Sequence, residues 1–213
     1  MAEPGQRRMD RRTARTTAAI LDAAEKLFTE GSYHAVSMDA IATEADIAVG
    51  SIYHHYGNKE RLYLALVERA LTVNEQAMAQ AYGHGRTPVE ELLAASDAYC
   101  RFHLENPGYF RMIALRVLDV PPGDIASEVE ERIADKVETL VGDIADALSR
   151  AAATGAIVCP DPQRTAIFLW GSWNGVLALH MRPDRLALDT DELQRVLAIG
   201  REILLRGLTT KFL

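Results

Sequence analysis

Residues 41–59, IATEADIAVGSIYHHYGNK, decide the fold of this chain. Apolar residues recur in and around this stretch at helical spacing and predict two short helices, over residues 37–45 and 48–56. Only Asp46 and Ile47 stand between them, and two short helices joined by so tight a turn form a helix-turn-helix. The residues expected on its inward face are Ile41, Ala42, Ala45, Ile47 and Ile52.

The second helix of this pair has an unusual outward face. Ile52 and Tyr56 are four residues apart, so they share the face toward the core. The residues left pointing outward are Val49, Gly50, Ser51, Tyr53, His54 and His55. A helix N-terminus without a bulky side chain can approach a phosphate closely, and its free amides favour negative charge. Taken singly, each of these residues is ordinary solvated surface, but together they predict a helix that lies in a DNA groove.

The side chains on this face have the chemistry that DNA contacts need. Ser51, Tyr53 and His55 offer uncharged donors to the oxygens of the DNA backbone. Val49 can touch a thymine methyl group. Lys59, just beyond the helix, adds a positive charge that attracts phosphate.

Charge is distributed unevenly along the chain. The net charge of -7 argues against DNA binding through the whole surface, so any nucleic-acid contact must be local. Residues 1–62 hold 8 basic and 9 acidic residues, whereas residues 63–213 hold 15 and 21. Five of the basic residues lie between Arg7 and Arg15, and we expect residues 1–12 to form a flexible basic arm. The arginines expected to contact DNA are Arg11, Arg12 and Arg15, although a basic tail that only meets solvent is the alternative.

Helical periodicity continues to the C-terminus, and no strand pattern appears. Helix starts are marked by capping residues, as in the run from Thr87 through Pro88 to Glu90. We count nine helices and expect an all-α chain of two lobes, the first over residues 13–60. The uncharged run over residues 165–181 is shorter than the roughly 20 residues of a membrane span, so it predicts a buried helix.

Residues 12–62 resemble the DNA-binding domain of the TetR family of transcriptional repressors. The resemblance is carried by ILDAAEKLF at residues 20–28, by Gly31, by Ser37 before Ile41 and Ala42, and by the run from Ile47 to Lys59. It implies phosphate contacts from Ser51, Tyr53, His55 and Lys59. It also implies that Val49 and Gly50 lie against base edges, and Ser37 and His54 complete the expected DNA-contacting set.

Two positions depart from the pattern of that family. Asp46 stands at the turn position usually held by glycine, which is tolerable because aspartate is one of the few residues that adopt left-handed backbone geometry. Ala48 stands at a helix-capping position often held by serine or threonine, so one hydroxyl that could cap the helix or reach a phosphate is missing.

Two helices near the C-terminus predict a dimer interface. The helix over residues 162–181 is apolar nearly all round, so it must be covered on more than one side. Its glycines at 171 and 175 form a smooth track where another helix can come close. With the last helix, it would form a four-helix interface between two copies of the chain. The expected interface residues are Gly171, Gly175, Leu193, Val196, Leu197, Gly200, Ile203 and Leu204.

Polar and aromatic residues inside the second lobe, residues 61–213, predict a small-molecule pocket. The candidates are His103, Tyr109, Phe110, Met112, Arg116, Trp170, Trp173, Asn174 and Leu177. Taken alone, each is more simply explained as a core residue. The family resemblance, which implies a helical ligand-binding and dimerising lobe, is the main reason to expect a pocket here.

These observations favour a homodimeric TetR-type regulator, a repressor that a small hydrophobic or amphipathic ligand releases from a palindromic operator. The alternative is a DNA-binding regulator without a small-molecule ligand, controlled by a protein partner or constitutive. An enzyme is disfavoured, because the sequence has no HExxH, no GxSxG and no phosphate loop. We expect no cofactor, metal or membrane partner. We expect a cytoplasmic protein, since no secretory segment is evident and Cys100 and Cys159 form no CxxC.

Overall fold

The structure, a computed structural model, describes residues 4–82, 86–114 and 127–209. Within these ranges the chain forms nine α-helices and no strand, which confirms the predicted all-α class. The helices are α1 (Pro4–Glu30), α2 (Met38–Glu44), α3 (Val49–Tyr56), α4 (Lys59–Ala79), α5 (Pro88–Glu105), α6 (Pro107–Ala114), α7 (Ser127–Ala153), α8 (Pro162–His180) and α9 (Thr190–Thr209). In the same ranges, no helix is both long and apolar enough to cross a membrane.

The helix α1 begins earlier than the sequence pattern predicted. It starts at Pro4 rather than at residue 13, so residues 4–12, which we expected in the arm, form its first turns. Proline is favoured in the first turn of a helix, and the glutamine, arginines and methionine that follow are good helix formers. The periodicity of apolar residues missed these turns because it reports only the part of a helix that faces a core.

The described residues divide into two compact units. The first unit holds residues up to Ala70 together with residues 108–133, and the second holds residues 71–107 and 134–213. The first unit therefore extends beyond residue 60, where we expected the DNA-binding lobe to end, and it includes α6. Its core is built on side chains with almost no exposed surface, namely Ile20, Phe28, Ile41, Ile52 and Leu62.

The second unit has its own core around α7. Buried residues of that helix recur at three and four positions, which is the spacing of one helical face. They are Val141, Ala145, Leu148 and Ala151, and they pack with Ile157, Cys159 and Ala166.

The predicted caps form as well: Thr87 and Glu90 make a capping box at α5, and the Asp161 side chain accepts from the Arg164 amide at α8. Both cysteines are buried and free.

Candidate functional site

The turn between α2 and α3 has the geometry that the sequence predicted. Asp46 adopts a left-handed backbone with φ of 52°, and its side chain is exposed. The Ile47 amide donates to the Ala42 carbonyl oxygen at 3.0 Å, which closes the turn. Ile52 of α3 is fully buried, so the helix is fixed against the core by its inward face. The chain thus forms the expected helix-turn-helix.

The opposite face of α3 is open. Tyr53 is 50% exposed and His54 is exposed. A Cβ atom built on Gly50 would meet no heavy atom within 4 Å. The remaining outward residues, Val49, Ser51 and His55, are half-buried. This face offers hydroxyl, imidazole and backbone donors without a covering layer of side chains.

Tyr56 does not belong to the outward face of α3, as the sequence predicted. Its hydroxyl donates to the backbone carbonyl of Thr17 in α1 at 3.3 Å. Burial raises the pKa of Tyr56, which keeps the phenol neutral. This tyrosine therefore anchors α3 to α1 instead of facing outward.

The N-terminus of α3 carries no side-chain cap. Ala48 occupies the cap position and makes no side-chain capping hydrogen bond. The Ser51 amide donates to the Ala48 carbonyl oxygen at 2.9 Å, so the amides of Val49 and Gly50 are the ones left to an anion. Ser37, in contrast, caps α2: its hydroxyl oxygen accepts from the Ala40 amide at 3.1 Å. The Ser37 hydroxyl proton can still be donated outward, so the cap and a phosphate contact are compatible.

Lys59 is held by an aromatic residue that the sequence argument did not consider. Its ammonium lies 4.4 Å from the centroid of the Tyr33 ring, a cation–π contact. Burial lowers the pKa of Lys59. The Tyr33 ring in turn packs edge-on against Tyr63. Lys59, the first residue of α4, therefore has a defined position next to the end of α3.

The helix α6 belongs to this unit and fixes the end of α1. The Arg111 guanidinium donates to the carbonyl oxygens of Phe28, Thr29 and Gly31 at 2.9 to 3.1 Å. A Cβ atom on Gly108 would lie 2.5 Å from the Thr29 Cβ, so only glycine fits there. These contacts satisfy carbonyls that a helix C-terminus leaves without partners.

Three residues of α6 were expected in the ligand pocket, and the structure gives each of them contacts in the first unit. The Tyr109 hydroxyl donates to the Glu25 carboxylate of α1. Burial, with help from Glu25, raises the pKa of Tyr109 to about 12. Phe110 and Met112 are buried in α6 and line neither of the two cavities described below. Arg116, the fourth candidate from this part of the chain, lies outside the described residues.

An apolar cavity of about 90 Å³ lies in the second unit, between α4, α5, α7, α8 and α9. Trp170 and Trp173, two of the pocket candidates, line it. Its other walls are mostly leucines and isoleucines, and among the described lining residues only Arg201 is charged; it forms an ion pair with Asp97. The cavity thus suits an apolar group.

The polar pocket candidates contact a residue that lines this cavity, but they do not line it themselves. The Tyr99 hydroxyl, in the wall, donates to the Asn174 side-chain oxygen at 2.6 Å, so Asn174 positions a lining residue without lining the cavity itself. His103 is buried against the Tyr99 ring, and burial lowers its pKa to about 3. Leu177 is a buried core residue. His103, Asn174 and Leu177 were expected to contact a ligand, and none of them is among the residues that line this cavity.

The predicted dimer residues divide between two faces. Leu193 and Leu197 of α9 are buried within the chain itself, at 0% and 6% exposure. Gly200 faces the Trp173 ring, and Leu204 lines the apolar cavity. Leu193 and Leu197 therefore have no surface to offer a partner, whereas Gly200 and Leu204 remain partly exposed. The open face carries Gly171 and Gly175, where added Cβ atoms would meet nothing, with half-buried Val196 and exposed Ile203.

The open face also carries large apolar residues that the sequence argument missed. On α8 they are Ile167 and Phe168, and on α9 the neighbour of Ile203 is Ile199. Phe168 is 64% exposed, Ile199 57% and Ile203 66%. Their spacing of four residues on α9 was a detectable signal, but the leucine stripe beside it was more prominent. No group of three residues able to hold a metal ion occurs in the described part of the chain.

Two family models match the chain. One, described as bacterial regulatory proteins of the tetR family, matches residues 20–66. The other, described as a tetracyclin repressor-like C-terminal domain, matches residues 92–198, about half of the chain. The first match contains the helix-turn-helix, and the second contains most of the residues that line the apolar cavity.

Individual proteins show the same similarity. HbdR, an HTH-type transcriptional regulator of Aromatoleum sp. (strain CIB), is 35% identical over 81 residues, which are 38% of this chain and only 35% of HbdR. The transcriptional regulator AcuR of Cereibacter sphaeroides is 26% identical over 172 residues, 79% of this chain and 78% of AcuR. A crystal structure of a tetR-family regulatory protein from Rhodococcus RHA1 matches with a TM-score of 0.73 and 21% identity, over 92% of this chain and 98% of that one. At that identity the match shows a common fold.

Proposed function

Since the chain belongs to the TetR family of bacterial transcriptional regulators and carries its helix-turn-helix domain, we propose that it is a homodimeric repressor that a small molecule releases from operator DNA. The observation that carries DNA binding is the two-faced character of α3. Ile52 is fully buried, while Gly50 and Tyr53 on the other face are open. A recognition helix needs this arrangement, because one face must hold it rigidly and the other must enter the groove.

The exposed apolar face of α8 and α9 supports a dimer. Monomeric proteins rarely leave several large apolar side chains together in water, and such groups mark contact surfaces. A two-fold dimer of helix-turn-helix domains reads two half-sites related by the same symmetry. The operator is therefore a palindrome whose half-sites are spaced by one turn of DNA or a multiple of it.

The apolar cavity supports control by a small molecule. A densely filled core around Trp173 would have favoured a regulator without a ligand, whereas this core contains an open, apolar space. A ligand that binds best when the two recognition helices are wrongly spaced opposes operator binding by linkage, typically by about 1–3 kcal/mol.

A two-step experiment tests the proposal. Purified protein is mixed with fragments of the genome that encodes it, and the retained fragments are sequenced. We expect a palindromic site, which the protein binds as a dimer and leaves when a ligand occupies the cavity. Retention of every fragment alike, or binding by a monomer, would contradict the proposal.

A further inference from the structure

A second cavity, of about 150 Å³, lies in the same unit as the apolar one, between α4 and α7. The two cavities share a wall, because Met78 of α4 and Leu140 of α7 line both of them. Methionine is unbranched and changes rotamer easily, and leucine has more than one accessible rotamer. A ligand that occupies both cavities would therefore pass beside these two adaptable side chains.

The lining of the second cavity is mixed and more polar than that of the first. It includes Glu75, Tyr82, Lys136, Thr139 and Asp143. In the apolar cavity, by contrast, the one charged residue among the described lining residues is already paired. A site that spans both cavities would thus have an apolar end and a polar end, which is the pattern of an amphiphilic ligand.

The polar end has an excess of negative charge. Lys136 forms a 3.1 Å ion pair with Glu75, and Asp143 makes no ion pair with a described residue. Burial first, and then the neighbouring carboxylates of Asp146 and Glu75, raise the pKa of Asp143. The other charged neighbours are Glu91 of α5 and Arg150 of α7, which pair with each other. A positive group would offset the carboxylate of Asp143, which is exposed and makes no ion pair with a described residue.

Two polar groups near this cavity have no hydrogen-bond partner among the described residues. One is the hydroxyl of Tyr82, which is itself in the lining. The other is the amide of Asn74, a residue that is only 1% exposed. Asn74 lies on the same face of α4 as Leu71 and Met78, which both line the polar cavity. Buried polar groups are nearly always hydrogen-bonded, so these two indicate that a bound group completes the site.

We propose that the ligand of this regulator is an amphiphilic cation, with its apolar body in the cavity beside Trp170 and Trp173 and its ammonium group beside Asp143, Glu75 and Tyr82. The ring of Tyr82 and the two carboxylates attract the ammonium, and the Tyr82 oxygen accepts a hydrogen bond from it. This inference rests on the proposed function and specifies the chemical class of its ligand.

Three probes with the same eight-carbon chain test the head group: octylammonium, octanol and octanoate. Binding is followed by the fluorescence of Trp170 and Trp173, and release of operator DNA is measured in the same titration. We expect octylammonium to bind at least about tenfold more tightly than the other two. Asp143→Asn and Glu75→Gln should each reduce this preference by about threefold or more and leave octanol binding unchanged. Glu138→Gln is the matched control, since it removes an exposed carboxylate of α7 that does not line the cavity.

The outcomes separate this inference from the function on which it rests. Equal binding of octanol, tightest binding of octanoate, or a preference for octylammonium that persists in both carboxylate variants would overturn the cationic head group. Binding of octylammonium without release of DNA would support the site and overturn its role in derepression. If no probe changes the tryptophan fluorescence or the melting temperature, the proposal of a ligand site here is wrong. The binding of operator DNA without any probe then tests the DNA-binding function on its own.

Discussion

The indole N–H of Trp173 donates a hydrogen bond to the Ser96 hydroxyl oxygen at 2.7 Å. The bond joins α8 to α5, and both residues line the apolar cavity. It orients the indole ring of Trp173, which also packs against Gly200 of α9. The shape of the cavity therefore depends on a polar contact within an otherwise apolar wall.

Ser96→Ala should lower the free energy of unfolding by about 1 kcal/mol, because the indole N–H loses its acceptor in a partly buried place. Urea denaturation followed by tryptophan emission measures this loss. Ser96→Thr keeps the hydroxyl and should stay close to the wild type. If Ser96→Ala is as stable as Ser96→Thr, the hydrogen bond contributes nothing to stability.

Tyr53→Ala should weaken operator binding by about tenfold or more, because it removes an exposed hydroxyl and ring from the face of α3 that we propose meets DNA. Fluorescence anisotropy with a labelled operator measures the affinity. The circular-dichroism melt should be nearly unchanged, since Tyr53 is half exposed. Tyr53→Phe removes only the hydroxyl, so its operator affinity should lie between those of the wild type and Tyr53→Ala. A Tyr53→Ala protein that binds normally would place DNA contact elsewhere.

Replacing Arg11, Arg12 and Arg15 with alanine should make the salt dependence of operator binding shallower. All three are exposed on α1. For each phosphate that the variant no longer neutralises, the slope of log affinity against log salt should decrease by about 0.9. Substitution is preferable to truncation here, because residues 4–12 belong to the same helix as the buried Ile20. An identical slope would mean that these arginines meet only solvent.

Phe168→Glu and Ile203→Glu should convert the dimer to a monomer and lower operator affinity with it, because each buries a charge in the proposed interface. Sedimentation velocity measures the mass. Leu186→Glu is the matched control: Leu186 is 58% exposed but lies between α8 and α9, outside both helices. Loss of the dimer in the control as well, or its retention in both test variants, would contradict the assignment.

His103 should make the protein less stable in acid. Burial lowers the pKa of His103 to about 3, whereas in the unfolded chain it titrates near its ordinary value of 6.5. Between these values only the unfolded chain binds the proton, so the free energy of unfolding falls as the pH decreases, by up to about 1.4 kcal/mol per pH unit. Urea titrations at pH 7.5, 6.5 and 5.5 on the wild type and His103→Gln should show the smaller loss in the variant. Equal losses would show that His103 is protonated in the folded protein.

The helix-turn-helix was predictable because its determinants are local. The spacing of Ile41 and Ile52 defines the inward faces of α2 and α3, and Asp46 between them is one of the few residues suited to a left-handed turn. The capping residues at α5 and α8 were predictable for the same reason. Each involves groups separated by only three residues along the chain.

The errors concern contacts between residues distant in sequence. Periodicity showed that Leu193 and Leu197 share one face of α9, but it cannot show whether that face meets the same chain or a partner. Arg111 and Gly31 are 80 residues apart, so no local pattern indicated that α6 would fix α1. The polar cavity was missed because Glu75 and Asp143 lie on separate helices and are exposed in the structure too, so neither residue type nor burial singled them out.

The open surroundings of Gly50 bear on how this regulator could acquire a new target. Since no neighbouring atom limits the side chain at position 50, a library that varies it would change which operators are bound without disturbing the core behind Ile52. Position 50 can therefore be changed to alter DNA recognition without disturbing the fold. At Gly108, in contrast, any larger side chain would clash with Thr29. A biosensor that keeps the ligand response and recognises a different promoter would best be sought by diversifying α3 around Gly50.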